Sequence, residues 1–327
     1  MRRRDFLAAG SATVLAGLVP VTALAQPPYP TKPIHLVVPT SAGGVHDVIG
    51  RIWADRVKSE LGTIIVENRA GGGSSIALNY VTQQPADGHL LLVGSTSTLV
   101  LREGGNNRAY DALKDIRSVS IVATTSTSIA VNPSLPIRSV KELIDYAKAN
   151  PGRLSYGSGG VGAITHITPE LFKQRAGGLD IVNVPYKGIG QGITDFIGGQ
   201  IPMLSANATA QILDLHRAGK AHILSVNSAE RIRSAPDIPT SIEAGLPGMV
   251  AQTTFGIFAP AGTPRPVLDR LNEVTQQVMA DEAFQRELLR LGFEPVLGAG
   301  PDKAAALFHD ERVRWTPILK TVSSKPE

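Results

Sequence analysis

The chain has 327 residues, no cysteine, 43% hydrophobic and 18% charged residues, and a formal net charge of +4. This length favours two domains, and the composition is sufficient for a sizeable core. Without cysteine, disulfides, thiolate metal ligands, iron–sulfur clusters, cysteine nucleophiles and a lipid-modified cysteine are excluded.

The first 25 residues have the pattern of an export signal. Arg2–Arg4 precede an apolar stretch that ends at Leu24, and Ala23–Ala25 has the small-x-small pattern of a cleavage site. The arginines resemble a twin-arginine signal, with ordinary secretion or a retained membrane anchor as alternatives. We expect residues 1–25 to be a signal peptide, the mature chain to begin at Gln26, and the protein to be periplasmic. Cleavage lowers the net charge from +4 to +2, which is too low to indicate nucleic-acid binding.

The mature chain alternates short β-branched runs with amphipathic stretches, a pattern typical of α/β proteins with parallel sheets. Helices are predicted from about Asp47 to Leu61, over Ser139–Ala149 with a capping box of Ser139 and Glu142, and after Pro266. The predicted strands are Ile34–Val38, Ile64–Val66, Leu90–Val93, Val119–Ala123, Ile129–Val131, Leu154–Tyr156, Ile181–Val184, Ile201–Leu204, Ile223–Val226 and Phe255–Ala259.

Proline-rich punctuation near positions 133–136 and 236–247 brackets a self-contained α/β stretch. We therefore predict two lobes, one formed by 26–131 together with 251–327 and the other by 132–250. The chain would cross between them near Ala123–Val131 and Thr253–Ala259. Ligands favour the cleft that such an arrangement leaves. No internal sequence repeat is visible.

A first loop follows the predicted strand Ile34–Val38 and leads into a helix. Its glycines allow a tight turn with accessible backbone amides, and a helix start favours an anion. The alternative is an ordinary β–α turn without a ligand. The candidate ligand-binding residues here are Thr40, Ser41, Ala42, Gly43, Gly44, Val45, His46 and Asp47.

A second loop, Gly157–Gly162, has the G-x-G-x-x-G spacing of a dinucleotide fingerprint, with Asp180 further along. The preceding strand is short and partly polar, so we expect no nucleotide cofactor. The remaining prediction is an anionic group bound at a helix start. The candidates are Ser158, Gly159, Gly160, Gly162, Ile164, Thr165 and His166.

A third loop, Gly94–Thr98, carries the hydroxyl candidates Ser95, Thr96 and Ser97, with helix capping as the alternative. Nucleophile-elbow, Walker and H-E-x-x-H motifs are not present in the sequence. His46 and His166 make a metal conceivable, but ordinary hydrogen bonds are the expectation. Because no catalytic constellation is visible, we expect a binding protein without cofactor or metal rather than an enzyme.

An ordered series of short motifs carries a family resemblance. It runs through Tyr29-Pro30, Lys32–Ile34, Val38-Pro39, Gly43-Gly44 with Asp47, Val66–Gly71, Pro85–Gly88, Val131–Pro133, Tyr156–Ser158, Val184–Gly188, Ala244–Gly248 and Ala259–Pro264. In this order the chain resembles, nearly from end to end, the tripartite tricarboxylate transporter substrate-binding proteins, also called Bug proteins.

The resemblance implies a two-lobed periplasmic-binding-protein fold (type II) that closes on a small carboxylate. It also implies ligand contacts through backbone amides, hydroxyls and water, and delivery to the membrane subunits of a tripartite transporter. An orphan receptor or a signalling role are the alternatives.

The chain departs from the family's common pattern at several positions. Val45, His46 and Ile164 stand where hydroxyls are common, and Asn207 stands where aspartate is common; Asn207 completes the candidate site. The two apolar residues predict a ligand with an aromatic or alkyl body, unless both side chains only pack.

Overall fold

A computed structural model describes residues 29–101 and 111–323, so the predicted signal peptide lies outside the described residues. The strands are β1 (Ile34–Val38), β2 (Ile64–Asn68), β3 (Leu90–Ser95), β4 (Ile116–Val131), β5 (Leu154–Ser158), β6 (Ile181–Pro185), β7 (Met203–Asn207), β8 (His222–Val226), β9 (Gln252–Pro260) and β10 (Glu294–Pro295). The helices are α1 (Val45–Leu61), α2 (Ser75–Thr82), α3 (Thr96–Leu99), α4 (Ala112–Asp115), α5 (Val140–Ala149), α6 (Ile164–Arg175), α7 (Ile189–Ile197), α8 (Ala210–Arg217), α9 (Arg265–Ala280), α10 (Glu282–Arg290) and α11 (Pro301–Ser323). In the described ranges, no helix combines the length and apolarity needed to cross a membrane.

The strands form two sections that share β4. In the first section the order is β2-β1-β3-β9-β4, and β10 pairs with the first part of β4. In the second section the later part of β4 lies between β7 and β8, and β5 and β6 continue beyond β7. β1 is parallel to β2 and β3, and β5 is parallel to β6 and β7, whereas β4 and β9 are antiparallel to their neighbours. The sheet is therefore mixed.

Strand β4 passes without a break from one section to the other. It pairs with β9 up to Ser126 and with β7 from Thr127. The prediction of two separate strands here is wrong, because the intervening Thr-Thr-Ser-Thr-Ser run contains no glycine or proline and is rich in β-branched residues. The second passage between the sections comes at Ala251, before the expected Thr253–Ala259, since β9 pairs with β4 from its first residue, Gln252.

The strand directions bring the predicted loops to one region. The carboxyl ends of parallel strands lie at the same edge of a sheet, which groups the loops after β1 and β3 in one section and those after β5 and β7 in the other. Register then places Ser95 opposite Phe255 and Thr127 opposite Asn207. Both groups of loops therefore face the passage between the sections.

Three apolar clusters stabilise the fold. One packs α1, α9 and α10 against the first section, where the Trp53 Nε1 donates to Thr275 Oγ1 at 3.2 Å. A second packs α7 and α8 against the second section. The third contains residues of both sections together with Phe308 and Trp315 of α11, so this helix contributes to a core common to both.

The predicted capping box at α5 is only half formed. Ser139 Oγ accepts from the Glu142 amide at 3.1 Å, as expected. The Glu142 carboxylate, however, accepts from the amide of Arg138 at 2.6 Å and not from that of Ser139.

A pair of glycines makes room for an aromatic ring in the sheet. Gly94 of β3 and Gly256 of β9 are register partners. A Cβ at Gly94 would lie 2.6 Å from the Phe258 ring, and one at Gly256 would lie 2.7 Å from the Ser120 carbonyl oxygen. Phe258 in turn meets Phe308 edge-on, with ring centroids 5.1 Å apart. The bare strand surface thus allows Phe258 to join the sheet to α11.

We predict that Gly94→Ala lowers the free energy of unfolding by about 1–3 kcal/mol, because the added methyl group overlaps the Phe258 ring. Urea unfolding followed by circular dichroism measures this change. The matched control is Gly190→Ala in α7, where a Cβ meets nothing within 4 Å; it should stay within about 1 kcal/mol of the unmodified protein. Equal losses in the two variants would contradict the packing role of Gly94.

Candidate ligand-binding site

The Asp47 carboxylate holds the first loop in shape from inside. Its side chain is only 5% exposed. It accepts from the Gly43 amide at 2.8 Å, from Arg51 Nε at 2.9 Å and from Asn68 Nδ2 at 2.9 Å. Asn68 Nδ2 also donates to the Thr40 carbonyl oxygen at 2.9 Å. Asp47 is therefore occupied by the protein's own donors.

These contacts keep Asp47 charged. Burial disfavours the carboxylate, but the hydrogen bonds from Arg51, Gly43 and Asn68 outweigh burial and hold the Asp47 pKa below its usual range. The negative charge inside the loop is compensated by Arg51.

His46 connects the first loop to the third. Its Nε2 lies 2.8 Å from Ser95 Oγ, and both side chains are buried. The imidazole also meets the Phe255 ring edge-on, with centroids 5.1 Å apart. This hydrogen bond agrees with the expectation that His46 makes ordinary contacts.

The third loop is a helix cap. The Ser95 amide donates to Thr98 Oγ1 at 2.8 Å and the Thr98 amide to Ser95 Oγ at 3.3 Å, which forms a complete capping box at α3. Thr96 Oγ1 accepts from the Thr254 amide at 3.2 Å. Ser95 and Thr96 are thus used within the protein, whereas Ser97 is half-buried.

The second loop has its own internal contacts. The Gly159 amide donates to Thr165 Oγ1 at 2.9 Å and the Gly162 amide to His166 Nδ1 at 3.2 Å. Ser158 Oγ donates to Asn183 Oδ1 at 2.8 Å. A Cβ at Gly160 would lie 3.1 Å from the Tyr186 carbonyl oxygen. The glycines therefore let this loop pack against the segment after β6.

Contacts across the passage link the loops to one another. Thr253 Oγ1 lies 3.4 Å from Asn207 Oδ1, and Asn207 is the register partner of Thr127. Thr127 Oγ1 in turn contacts Thr168 Oγ1 of α6 at 3.3 Å. Together with Thr254, these residues connect the third loop to the helix that follows the second.

Sequence reasoning missed the residues of this passage, chiefly Thr127, Thr168 and Asn227. Asn227 Nδ2 donates to Thr127 Oγ1 at 2.9 Å, and Asn227 is fully buried. The sequence does contain a signal for them. Thr124–Ser128 are five consecutive hydroxyl residues within an otherwise apolar strand, and buried hydroxyls need hydrogen-bond partners.

Several backbone amides of the first and second loops are open. Among the described residues, the amides of Ala42, Val45, Val161 and Ile164 have no hydrogen-bond partner. Ala42 is exposed, and the Val161 side chain at the tip of the second loop is 55% exposed. Such groups at the starts of α1 and α6 can receive an anion.

Two candidates for an apolar ligand wall face the protein interior. Ile164 is 2% exposed and belongs to the core shared by both sections. Val45 is half-buried and packs against the cluster around α1. This placement favours the packing alternative for both side chains, so they no longer support an aromatic or alkyl ligand body.

The family is settled by comparison with known proteins. The family model described as TctC, Tripartite tricarboxylate transporter family receptor, matches residues 49–323. The chain belongs to this receptor family. The TctC family is one of solute-binding receptors and not of enzymes, which confirms the prediction of a binding protein.

Individual relatives agree with this membership. Protein BugT of Bordetella pertussis (strain Tohama I) is 32% identical over 301 residues, which cover 91% of each chain. The structure of the periplasmic binding protein BugD has a TM-score of 0.82 at 27% identity and covers 91% of this chain and 100% of its own. An R. palustris protein solved with adipate has a TM-score of 0.82 at 32% identity and covers 90% and 98%. The predicted periplasmic-binding-protein fold of this TctC receptor is confirmed.

We predict that Asp47→Asn destabilises this TctC receptor by about 1–3 kcal/mol at neutral pH, because an amide cannot accept from all three donors as an anion does. The pKa of Asp47 is lowered on folding, so its contribution is complete above about pH 4 and is lost as the pH falls through the lower folded value. Urea titrations of both proteins from pH 7 to pH 3 should show the stability difference shrinking below about pH 4.

The control for that series is Asp145→Asn, which removes an exposed pair with Lys141. It should change the free energy of unfolding by less than about 0.5 kcal/mol. A stability difference for Asp47→Asn that is constant across the pH range would show that the carboxylate charge does not hold the loop.

We predict that Ile164→Ser lowers the free energy of unfolding by at least about 3 kcal/mol, because it leaves a cavity and a hydroxyl in the core. Val45→Ser, at a half-buried site, should cost about 1 kcal/mol. Thermal unfolding compares the two variants directly. If Ile164→Ser were as stable as the unmodified protein, Ile164 would not be a core residue in solution.

Proposed function

We propose that this TctC receptor captures a small dicarboxylate with an alkyl body in the periplasm and delivers it to the membrane subunits of a tripartite tricarboxylate-type transporter. Family membership supports the receptor role and the transporter partner. The adipate-containing R. palustris structure, 32% identical, supports an alkyl dicarboxylate. An orphan receptor without a cognate transporter is the alternative that the family leaves open.

The observation that carries the proposal is the pair of open-amide loops at the passage between the sections. Each loop ends at a helix start and keeps backbone amides without a partner, at Ala42 and Val45 in one and at Val161 and Ile164 in the other. Amides at helix starts stabilise carboxylates without a positively charged side chain. Because each section contributes one such loop, an anion could be bound between the two sections.

Nearby arginines do not form a conventional carboxylate clamp. Arg51 is paired with Asp47, and Arg69 is paired with Glu67 at 2.6 Å while its guanidinium lies 3.5 Å from the Tyr80 ring centroid. The ligand would therefore be recognised by amides, hydroxyls and bridging water, whose hydrogen bonds depend on where the anion's oxygens lie.

The candidate residues divide by role within this proposal. The open amides would be the direct ligand contacts, with Ser41, Ser97 and Asn207 as the proposed side-chain contacts. Several candidates shape the loops instead, since their side chains are occupied within the protein. These are Asp47, His46, Ser95, Thr96, Ser158, Thr165 and His166.

The proposed lobes are 26–131 with 251–327, and 132–250, and they close on the ligand as a hinge. The two passages would form this hinge, and they lie side by side where the Thr127 amide donates to the Ala251 carbonyl oxygen at 3.0 Å. Residues 1–25 would direct export, with the twin-arginine pattern as the proposed route.

We predict that adipate binds more tightly than citrate, because a third carboxylate would have to be desolvated without a partner. Calorimetric titration of the mature protein with adipate, malate and citrate measures the order. Gly160→Leu should weaken adipate binding at least about tenfold, since the side chain obstructs the second loop. The matched control is Gly177→Leu, another position of positive φ, which has open space around it and lies beyond α6.

Citrate binding tighter than adipate would contradict the proposed ligand class. Equal weakening in Gly160→Leu and Gly177→Leu would show that backbone strain, and not the second loop, governs the loss. No binding of any of the three acids would argue against a small carboxylate as the ligand.

A further inference from the structure

From the left-handed glycine into the helix, the first and second loops have the same backbone conformation although their sequences differ. Gly43 and Gly162 both adopt positive φ, at 78° and 76°. The next residues, Gly44 and Ala163, are the N-caps of α1 and α6, with φ/ψ of −70°/164° and −72°/156°. Over the aligned segments 41–47 and 160–166, only this left-handed glycine is identical.

The hydrogen bonds of the two loops also correspond. The N-cap amides of Gly44 and Ala163 each donate to the carbonyl three residues earlier, at 3.1 Å in both loops. Their carbonyls each accept from the fourth amide along the helix, that of Val48 or Ile167, at 3.0 Å in both. The two sections of the protein therefore contain one structural motif twice.

Each copy is closed by a side chain four residues after the left-handed glycine. In the first loop the Asp47 carboxylate accepts from the Gly43 amide at 2.8 Å. In the second loop His166 Nδ1 accepts from the Gly162 amide at 3.2 Å. Two chemically different side chains thus perform the same contact.

We propose that Asp47 and His166 are equivalent positioning residues, each of which closes its loop over the glycine amide and so fixes the open amides on either side for the ligand. This inference rests on the proposed function in one respect, that the open amides receive the ligand. The contact occupies the amide of Gly43 or Gly162 and leaves those of Ala42 and Val45, or of Val161 and Ile164, in equivalent positions. What the two copies share four residues on is a hydrogen-bond acceptor, a carboxylate in one loop and an imidazole in the other.

The histidine can serve only in one form. An imidazole nitrogen accepts a hydrogen bond only when it carries no proton, so His166 must be neutral with its proton on Nε2. Glu170 lies one helical turn after His166. Its carboxylate already accepts from Lys173 Nζ at 2.7 Å and from Tyr156 Oη at 2.9 Å. The acceptor role therefore fixes a tautomer that can be observed directly.

The first test needs no ligand. Nitrogen-15 NMR of the histidine rings in the mature protein should show His166 as the Nε2–H tautomer with a hydrogen-bonded Nδ1. A proton on Nδ1 would overturn the proposal outright. Because this measurement uses the unmodified protein, it decides the matter even if a variant fails to fold.

Amide hydrogen exchange then tests the contact by substitution. His166→Ala should speed exchange of the Gly162 amide about fivefold, as expected for the loss of one hydrogen bond. His166→Asn keeps an acceptor near the position of Nδ1 and should restore slow exchange. Thr165→Val is the matched control, since it should free the Gly159 amide but leave Gly162 unchanged. Unchanged exchange at Gly162 in His166→Ala would overturn the proposal.

Adipate titration of the same variants tests the link to binding. His166→Ala should weaken adipate binding about fivefold and His166→Asn should recover most of it, because the loop is closed again. If exchange responds as expected but adipate affinity does not, the positioning role toward the ligand is wrong. If adipate fails to bind the unmodified protein, the proposed ligand is wrong, whereas the tautomer and exchange results still decide whether His166 closes the loop.

Discussion

The contact between Thr127 and Ala251 is the point on which the arrangement of the two sections depends. Both the amide and the hydroxyl of Thr127 donate to the Ala251 carbonyl oxygen at 3.0 Å. The Ala251 amide donates to the Asn227 carbonyl oxygen at 2.7 Å, and the Asn227 side chain returns to Thr127. All three residues are fully buried, so every polar group in this network needs its partner. The network joins the two passages into one unit, and the loops on either side take their positions from it.

The proposed site would use the backbone where many carboxylate-binding proteins use arginine. Side chains of both loops are directed to the loops' own amides, while among the described residues the amides of Ala42, Val45, Val161 and Ile164 have no partner. A carboxylate bound in this way exchanges water for fixed dipoles and does not require a buried cation. Binding of this kind depends on loop conformation, because the amides point at the anion only while the loops hold their shape. On the proposed function, residues such as Asp47 would matter for binding without touching the ligand.

Much of the fold could be read from the sequence. The apolar runs from Ile34 to Val226 predicted most strands to within a few residues, because buried strands of an α/β sheet have a strong hydrophobic signal. Short helices such as α3 and α7 were missed, since four to nine residues carry too little periodicity. The continuity of β4 was missed because its centre is polar, although the hydroxyls of Thr125, Thr127 and Ser128 are paired inside the protein.

The sequence predicted the candidate loops but not how their individual side chains are used. Glycines before a helix indicate accessible amides, and this reasoning led to both loops. Which amides are already used depends on where Asp47, Thr165 and His166 point, and a sequence does not show that. The equivalence of the two loops was also invisible, because a motif defined by one positive φ and an acceptor four residues on leaves only a single glycine in common.

The exposure of the loop tips has a consequence for how such receptors diversify. Val161 is 55% exposed and Ala42 is exposed, whereas Ile164 and Thr165, only a few residues away, are buried and required by the core or the loop. Substitutions at the tips therefore change the surface presented to a solute with little effect on folding, since exposed positions tolerate most residues. A gene duplicate that changes only these two positions would keep both the amide framework and the core intact.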